Sequence, residues 1–130
     1  MSTKKHVIPQ KGSENMNVPP FSRAVCYGSL VFVSGTVSQD LETHKPLLGT
    51  IEFETEQVIK NIEVILKAVG SSLDCVLKTQ VFLTDVKNFQ QMNAVYRKFF
   101  SQDPPARSTI GIQLAGDYKV EIEAIAFIPE

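Results

Sequence analysis

Two charged residues near the end of the chain, Arg107 and Glu121, have side chains suited to catalysis. A guanidinium group binds a carboxylate through two parallel hydrogen bonds and stays charged. A glutamate carboxylate can orient a water molecule or take its proton, provided that its pKa suits the reaction. Together they suit the hydrolysis of a small molecule that carries a carboxylate group. An arginine and a glutamate on adjacent strands also form an ordinary cross-strand ion pair, so the residue types alone leave both interpretations open.

Other common kinds of site find little support in the sequence. The two histidines, His6 and His44, lie in the N-terminal tail and in a loop. No cysteine–histidine cluster has the spacing of a zinc site, and the sequence has no glycine-rich phosphate loop. The net charge is −1 and the lysines are interspersed with acidic residues, which disfavours nucleic acid as a partner.

Length and composition are typical of one globular domain. The 130 residues are 43% hydrophobic and 21% charged, and we predict a single domain over 1–130 with an extended N-terminal lead-in over 1–20. No apolar run could span a bilayer and no secretory signal is present, so a cytoplasmic protein without membrane contact is expected. Cys26 and Cys75 lie in apolar stretches and are expected to be buried thiols.

Hydrophobic periodicity predicts an α+β chain in the order β-β-α-β-α-β-β. The Gly28-Ser29 pair is a hairpin turn, Gly70 is a helix stop, and Pro104-Pro105 ends the second helix. The last two strands are expected to pair with each other. The apolar stripe of the second helix is assigned to the core. The predicted elements are strands at 23–27 and 30–34, a helix at 58–69, a strand at 76–84, a helix at 89–99, and strands at 107–114 and 120–128.

Alternation along the strands predicts a mixed sheet with two different faces. One face is apolar and is covered by the two helices, which can cover only one side. Arg107 and Glu121 are placed together on the other face. That face also carries Phe82, Ile125 and Phe127, an apolar patch that a monomer would expose. Burial in an oligomer is the simplest remedy, and polar groups at that interface become candidates for a shared site.

Several motifs, in the same order and spacing, resemble the reactive-intermediate deaminase (Rid) family over nearly the whole chain. The segment that ends at Ile110 and the segment that begins after Lys119 together resemble the family's C-terminal signature. The remaining similarity covers the family's opening motif, a strand end, the central strand and the second helix. The segments concerned are Pro20–Val25, Val33–Gly35, Val76–Asp85, Met92–Tyr96, Pro105–Ile110 and Val120–Ala126.

The resemblance implies a chorismate-mutase-like fold, homotrimers with clefts between subunits, and activity without a metal or organic cofactor. It implies hydrolysis of 2-enamino and 2-imino acids, such as 2-aminoacrylate and 2-iminopropanoate, to a 2-keto acid and ammonia. Arg107 would then bind the substrate carboxylate and Glu121 would act on water. The other positions that match the family's substrate cleft are Phe21, Ser34, Asn93 and Thr109.

Departures from the family pattern bear on rate and substrate preference. Phe21 stands where many relatives have tyrosine, Thr109 where cysteine is frequent, and Thr36 where glutamine is usual; Gln113 also differs. Two alternative functions remain open at this point. One is a ribonuclease that inhibits translation, an activity associated with some family members. The other is a non-enzymatic trimer that binds a small keto acid or acts as a chaperone.

Overall fold

Six strands and two helices make up the structure, a computed structural model that describes residues 5–130. The first four residues of the predicted lead-in lie outside the described residues. Three-residue 3₁₀ turns precede β4 and α2. The elements are β1 (His6–Ile8), β2 (Ala24–Tyr27), β3 (Leu30–Thr36), α1 (Ile51–Lys67), β4 (Val76–Leu83), α2 (Phe89–Phe99), β5 (Ala106–Gly111) and β6 (Val120–Phe127).

The strands form one mixed sheet in the order β1-β2-β3-β6-β4-β5. Only β4 and β5 are parallel, and every other neighbouring pair is antiparallel. The predicted hairpin between the last two strands is therefore wrong, because β4 lies between β5 and β6. Backbone hydrogen bonds at the end of β4 hold both ends of the connection, from Ile112 to the carbonyl of Leu83 and from Thr84 to the carbonyl of Lys119. β5 therefore lies at an edge of the sheet. Its residues are more exposed to solvent than its hydrophobic side chains would predict.

The N-terminal lead-in adds a strand that the local sequence pattern does not predict. β1 pairs with β2, with His6 opposite Cys26. The buried side chain of Gln10 donates hydrogen bonds to the carbonyls of Pro19 and Phe21, at 2.8 and 3.1 Å. These contacts bring the lead-in back to the start of β2 and fix the backbone on which Phe21 lies.

Both helices pack on the same side of the sheet, as predicted. α1 begins about two turns earlier than its apolar stripe, because the Thr50 side chain caps it by accepting a hydrogen bond from the Phe53 backbone. Its buried face and the facing sides of β3, β4 and β6 form the core, in which both cysteines are buried and unpaired. The largest fully buried side chains include Ile59, Ile62, Leu66, Leu83, Met92 and Ile122. No helix in the described range 5–130 is both long and apolar enough to cross a membrane.

The side of the sheet that the helices leave uncovered is called the open face here. Phe82, Ile125 and Phe127 lie on it, as the strand alternation predicts. Phe32 lies opposite Ile125 on the neighbouring strand and is 44% exposed. A shallow hollow of about 350 Å³ lies on this face, lined by Phe32 and Ile125 together with the polar residues Lys78, Gln80 and Glu123. The open face is thus a continuous apolar surface with a few charged groups in it.

A buried carboxylate connects the first turn of α1 to the loop that leads into β6. Glu54 has no solvent exposure, and it accepts hydrogen bonds from the Gly49 backbone and the Lys119 backbone, at 3.2 and 2.9 Å. The Lys119 ammonium is 3.3 Å from the same carboxylate and is partly exposed. This contact fixes where β6 begins, and therefore where Glu121 emerges from the sheet.

Candidate active site

Arg107 lies at the start of β5 beside a cavity of about 320 Å³. Its guanidinium carbon is 4.8 Å from the centre of the Tyr96 ring and 5.8 Å from the centre of the Phe89 ring. Both rings belong to α2. Within residues 5–130, Arg107 has neither a carboxylate partner nor a hydrogen-bond acceptor. Its five N–H donors are therefore available to a ligand in the cavity.

The predicted position of Arg107 on the uncovered face is wrong. In the parallel pairing of β4 with β5, Arg107 lies opposite Thr79, and Thr79 is buried beneath the helices. Residues opposite each other in neighbouring strands share a face. The apolar residues that alternate with Arg107, such as Ile110, project instead from the open face. Arg107 lies on the helix side of the sheet, where it is only half-buried because β5 is an edge strand.

A buried hydrogen bond connects the ring under Arg107 to the sheet. The Tyr96 hydroxyl and the Thr79 hydroxyl are 2.7 Å apart. Burial raises the pKa of Tyr96, while the Thr79 hydrogen bond and the positive charge of Arg107 act in the opposite direction. Because the phenol stays neutral at physiological pH, the contact between Tyr96 and Arg107 is a cation–π contact.

Of the three buried side-chain atoms without hydrogen-bond partners in residues 5–130, two belong to Asn93 and Thr109, close to Arg107, and the third is Thr55 Oγ1 on α1. Asn93 lines the cavity from α2, and its Oδ1 atom has no hydrogen-bond partner within the described chain. Thr109 follows Arg107 by two residues on β5, and its Oγ1 atom is also unpartnered. A buried polar atom without a partner is costly and is normally satisfied by a ligand or a water molecule. Arg107, Asn93 and Thr109 therefore form one group, which we call the arginine group.

Glu121 lies on the open face, so its predicted position beside Arg107 is also wrong. It is opposite Phe82 on β4, three positions from the residue opposite Arg107, and an odd offset puts the two side chains on opposite faces. Burial, and secondarily the negative charge of Glu123, raise the pKa of Glu121. The carboxyl group packs against Gly35, where a β-carbon would stand only 2.9 Å from the Glu121 Cδ atom. Gly35 therefore leaves the space that the Glu121 carboxyl group occupies.

Ser34 is next to Gly35, which packs against Glu121, and a hydrogen bond connects Ser34 to the residue after Phe21. Ser34 precedes Gly35, and its hydroxyl donates a 2.6 Å hydrogen bond to the carbonyl of Ser22. Phe21 precedes Ser22, is partly exposed, and lines a separate hollow of about 330 Å³ next to the N-terminal segment. We call Phe21, Ser34 and Glu121 the glutamate group. Within a single chain the glutamate group and the arginine group do not meet, because the sheet lies between them.

Sequence reasoning missed the aromatic part of the arginine group. Tyr96 and Phe89 were assigned to the core stripe of the second helix, yet Phe89 is exposed and Tyr96 contacts Arg107. One signal in the sequence pointed to this role: a tyrosine on an apolar stripe carries a hydroxyl that needs a buried partner. No set of three or more histidine, cysteine, aspartate or glutamate side chains in the described part of the chain is arranged to hold a metal ion.

Comparisons with known proteins match the fold and most of the sequence. The family model described as Endoribonuclease L-PSP matches residues 13–128. The chloroplastic Reactive Intermediate Deaminase A of Arabidopsis thaliana is 39% identical over 126 residues, covering 96% of this chain and 67% of that protein. A 2-iminobutanoate/2-iminopropanoate deaminase of Dermatophagoides farinae is 33% identical over 112 residues, covering 85% of this chain and 88% of that protein.

A solved structure extends the comparison to the whole fold. RidA from an Antarctic Psychrobacter species superposes with a TM-score of 0.81 at 33% identity, covering 98% of this chain and 99% of that one. The two helices and the six-stranded mixed sheet are therefore those of a known fold. This chain belongs to the Rid family, which the Endoribonuclease L-PSP model describes.

Proposed function

We propose that this protein hydrolyses reactive 2-enamino and 2-imino acids, of the 2-aminoacrylate and 2-iminopropanoate type, to 2-keto acids and ammonia. The reaction takes place in clefts between the subunits of a homotrimer. Two relatives support the assignment, one named as a 2-iminobutanoate/2-iminopropanoate deaminase at 33% identity and one named as a Reactive Intermediate Deaminase at 39% identity.

The observation that carries the proposal is the unpartnered Arg107 beside its cavity. A half-buried guanidinium without an anionic partner is unfavourable, and a bound carboxylate removes that cost. The planar fork of arginine matches a carboxylate through two hydrogen bonds, which fixes the plane of a small 2-imino acid. The free Oδ1 atom of Asn93 lines the same cavity and can accept a hydrogen bond from the imine N–H.

The reaction requires a water molecule and a group that moves protons. Water adds to the C=N carbon, its oxygen forms the new C–O bond, and the electron pair of the C=N bond goes to nitrogen. The carboxylate of Glu121 takes a proton from that water and returns it to the nitrogen, which gives a carbinolamine. Glu121 then passes the proton of the new hydroxyl group to the nitrogen, the C–N bond breaks as the C=O bond forms, and ammonia leaves. The raised pKa of Glu121 favours this role, since a base is most effective when its pKa is near the working pH.

Two subunits are needed because Arg107 and Glu121 lie on opposite faces of one sheet. The arginine group of one subunit would face the glutamate group of its neighbour. The apolar side chains of the open face favour burial against a second copy of the chain, and this contact would bring the two groups together. Phe21 and Ser34 would reach the cleft from the same side as Glu121.

The decisive experiment measures ammonia and 2-keto acid released from 2-aminoacrylate that a pyridoxal-phosphate dehydratase generates in situ from serine. We expect the wild-type protein to accelerate ammonia release over the spontaneous reaction. Arg107→Ala should lose this acceleration, and Arg107→Lys should keep the charge but raise KM because the fork is lost. Titration calorimetry with pyruvate should follow the same order.

A matched control is Lys98→Ala, which removes an exposed cation from α2 away from the cavity. It should behave as wild type. Equal ammonia release with Arg107→Ala and with wild type would contradict the proposal. Salt-sensitive cleavage of RNA without ammonia release would instead favour the ribonuclease activity for which the family model is named.

A further inference from the structure

Tyr96 places a hydroxyl group on the buried face of α2, beside the apolar side chains of Met92 and Val95. It is 6% exposed, and its neighbour on the same stripe, Met92, is fully buried. Its hydroxyl is satisfied by a single partner, Thr79, which is 1% exposed. A phenylalanine and a valine would fill these positions without the cost of burying two hydroxyl groups. Their presence as a pair therefore calls for a reason other than filling the core.

The register of the sheet supplies that reason. Thr79 on β4 is directly opposite Arg107 on β5, so the residue that anchors Tyr96 is the sheet neighbour of the residue that Tyr96 contacts. The ring of Phe100 packs against Tyr96 with centroids 4.6 Å apart, and Phe89 lies 5.8 Å from the guanidinium carbon. The Tyr96 ring is thus fixed by a hydrogen bond at its hydroxyl end and by a second ring.

A ring in this position restricts Arg107 without using any of its donors. A cation–π contact attracts the guanidinium to the ring, while the N–H groups stay free for a carboxylate. An arginine on an exposed edge strand would otherwise sample many rotamers, and a ligand would have to order them. A fixed ring removes part of that cost before the ligand arrives.

We propose that Tyr96, anchored by Thr79, is a positioning residue that holds Arg107 in the orientation in which it binds a carboxylate. This inference rests on the proposed function, because it assigns the cavity beside Arg107 to a carboxylic acid. Tyr96 acts through Arg107 and does not touch the reacting atoms.

The test combines three substitutions with pyruvate binding and steady-state kinetics. Tyr96→Leu removes the ring face, and we expect about 5- to 30-fold weaker pyruvate binding, the range of a cation–π contact. Tyr96→Phe and Thr79→Val each remove the same hydrogen bond, and we expect about a 2- to 10-fold loss. The double variant Tyr96→Phe/Thr79→Val should lose no more than either single variant. In all of them KM should rise more than kcat falls.

A purely structural role predicts a different pattern. Met92→Leu serves as the control, since it perturbs the same buried stripe away from Arg107 and should change thermal stability without changing pyruvate binding. If folded Tyr96→Phe and Thr79→Val bind pyruvate as tightly as wild type, the proposal is overturned. These two variants decide the matter by themselves if Tyr96→Leu does not fold.

A spectroscopic measurement separates this inference from the proposed function. The ¹⁵N–¹H signal of the Arg107 Nε group, identified by its loss in Arg107→Lys, should show an upfield ring-current shift that Tyr96→Leu removes. If wild type neither binds pyruvate nor releases ammonia, the proposed function fails, while this shift still reports whether Tyr96 positions Arg107. Absence of the shift in wild type would overturn the positioning role.

Discussion

Glu121 and Glu123 leave β6 on the same face, so the negative charge of Glu123 raises the cost of ionising Glu121. The pKa of Glu121 is raised by burial and, to a smaller extent, by Glu123. A general base works in its ionised form. Activity should therefore fall as the pH drops through this raised pKa, at a higher pH than an ordinary glutamate would give.

Replacing Glu123 by glutamine should move that acid limb. The substitution removes the like charge, lowers the pKa of Glu121, and shifts the fall in kcat/KM toward lower pH. The pH profile of ammonia release measures this directly. Glu121→Gln provides the reference, because it should lower turnover by about 10²-fold above this pKa and remove the acid limb, while pyruvate still binds. An acid limb that stays in place in Glu123→Gln would show that another group sets it.

Hydrophobic alternation did not predict that Arg107 and Glu121 lie on opposite faces of the sheet. Alternation in β5 suggested that Ile110 and Ile112 face the helices, which would put Arg107 on the other side. In the structure β5 is an edge strand, and Ile112 is 51% exposed. Hydrophobic alternation reports which face avoids water, and a face that avoids water by contacting another subunit gives the same pattern as one that faces the core.

At the scale of elements, one buried carboxylate connects α1 to the start of β6. Glu54 is the only charged residue among the largest fully buried side chains of residues 5–130, and it accepts hydrogen bonds from two backbone N–H groups as well as contacting Lys119. Because Lys119 is partly exposed, solvent weakens the charge–charge contribution, and the two backbone hydrogen bonds matter more.

Glu54→Gln should lower the free energy of unfolding by about 1–3 kcal/mol, since an amide can no longer accept at both oxygens. Urea denaturation followed by circular dichroism gives the value. Glu52→Gln is the matched control on the same helical turn, and its exposed side chain should change stability by less than about 0.5 kcal/mol. An equal loss in both variants would mean that helix charge, rather than the contact with the β6 loop, is responsible.

Element types followed from local sequence, whereas strand pairing did not. The Gly28-Ser29 hairpin and both helices were predicted because short-range spacing and turn residues specify them. The short connection before Val120 predicts a second hairpin. In the structure β4 pairs with both β5 and β6 and separates these two strands. That choice depends on contacts between residues far apart in sequence, as does the pairing of β1 with β2.

At the scale of the whole molecule, the proposed mechanism requires more than one subunit. The arginine group and the glutamate group face away from each other, and the open face is apolar. In the proposed trimer each subunit would contribute the first group to one cleft and the second group to another. Every cleft would then combine residues from two chains.

Because each cleft would combine residues from two subunits, two inactive variants should complement each other. Arg107→Ala and Glu121→Gln subunits should each be inactive alone, yet unfolding and refolding them together in equal amounts should restore activity. Random assembly leaves about a quarter of the clefts with both native residues, so about a quarter of wild-type ammonia release should return. Native mass spectrometry would verify mixed assemblies of three 14.4 kDa chains. Mixed trimers that stay inactive would mean that the two residues serve different sites. Complementation between two inactive alleles is thus the genetic result expected when the arginine group and the glutamate group lie on opposite faces of one sheet.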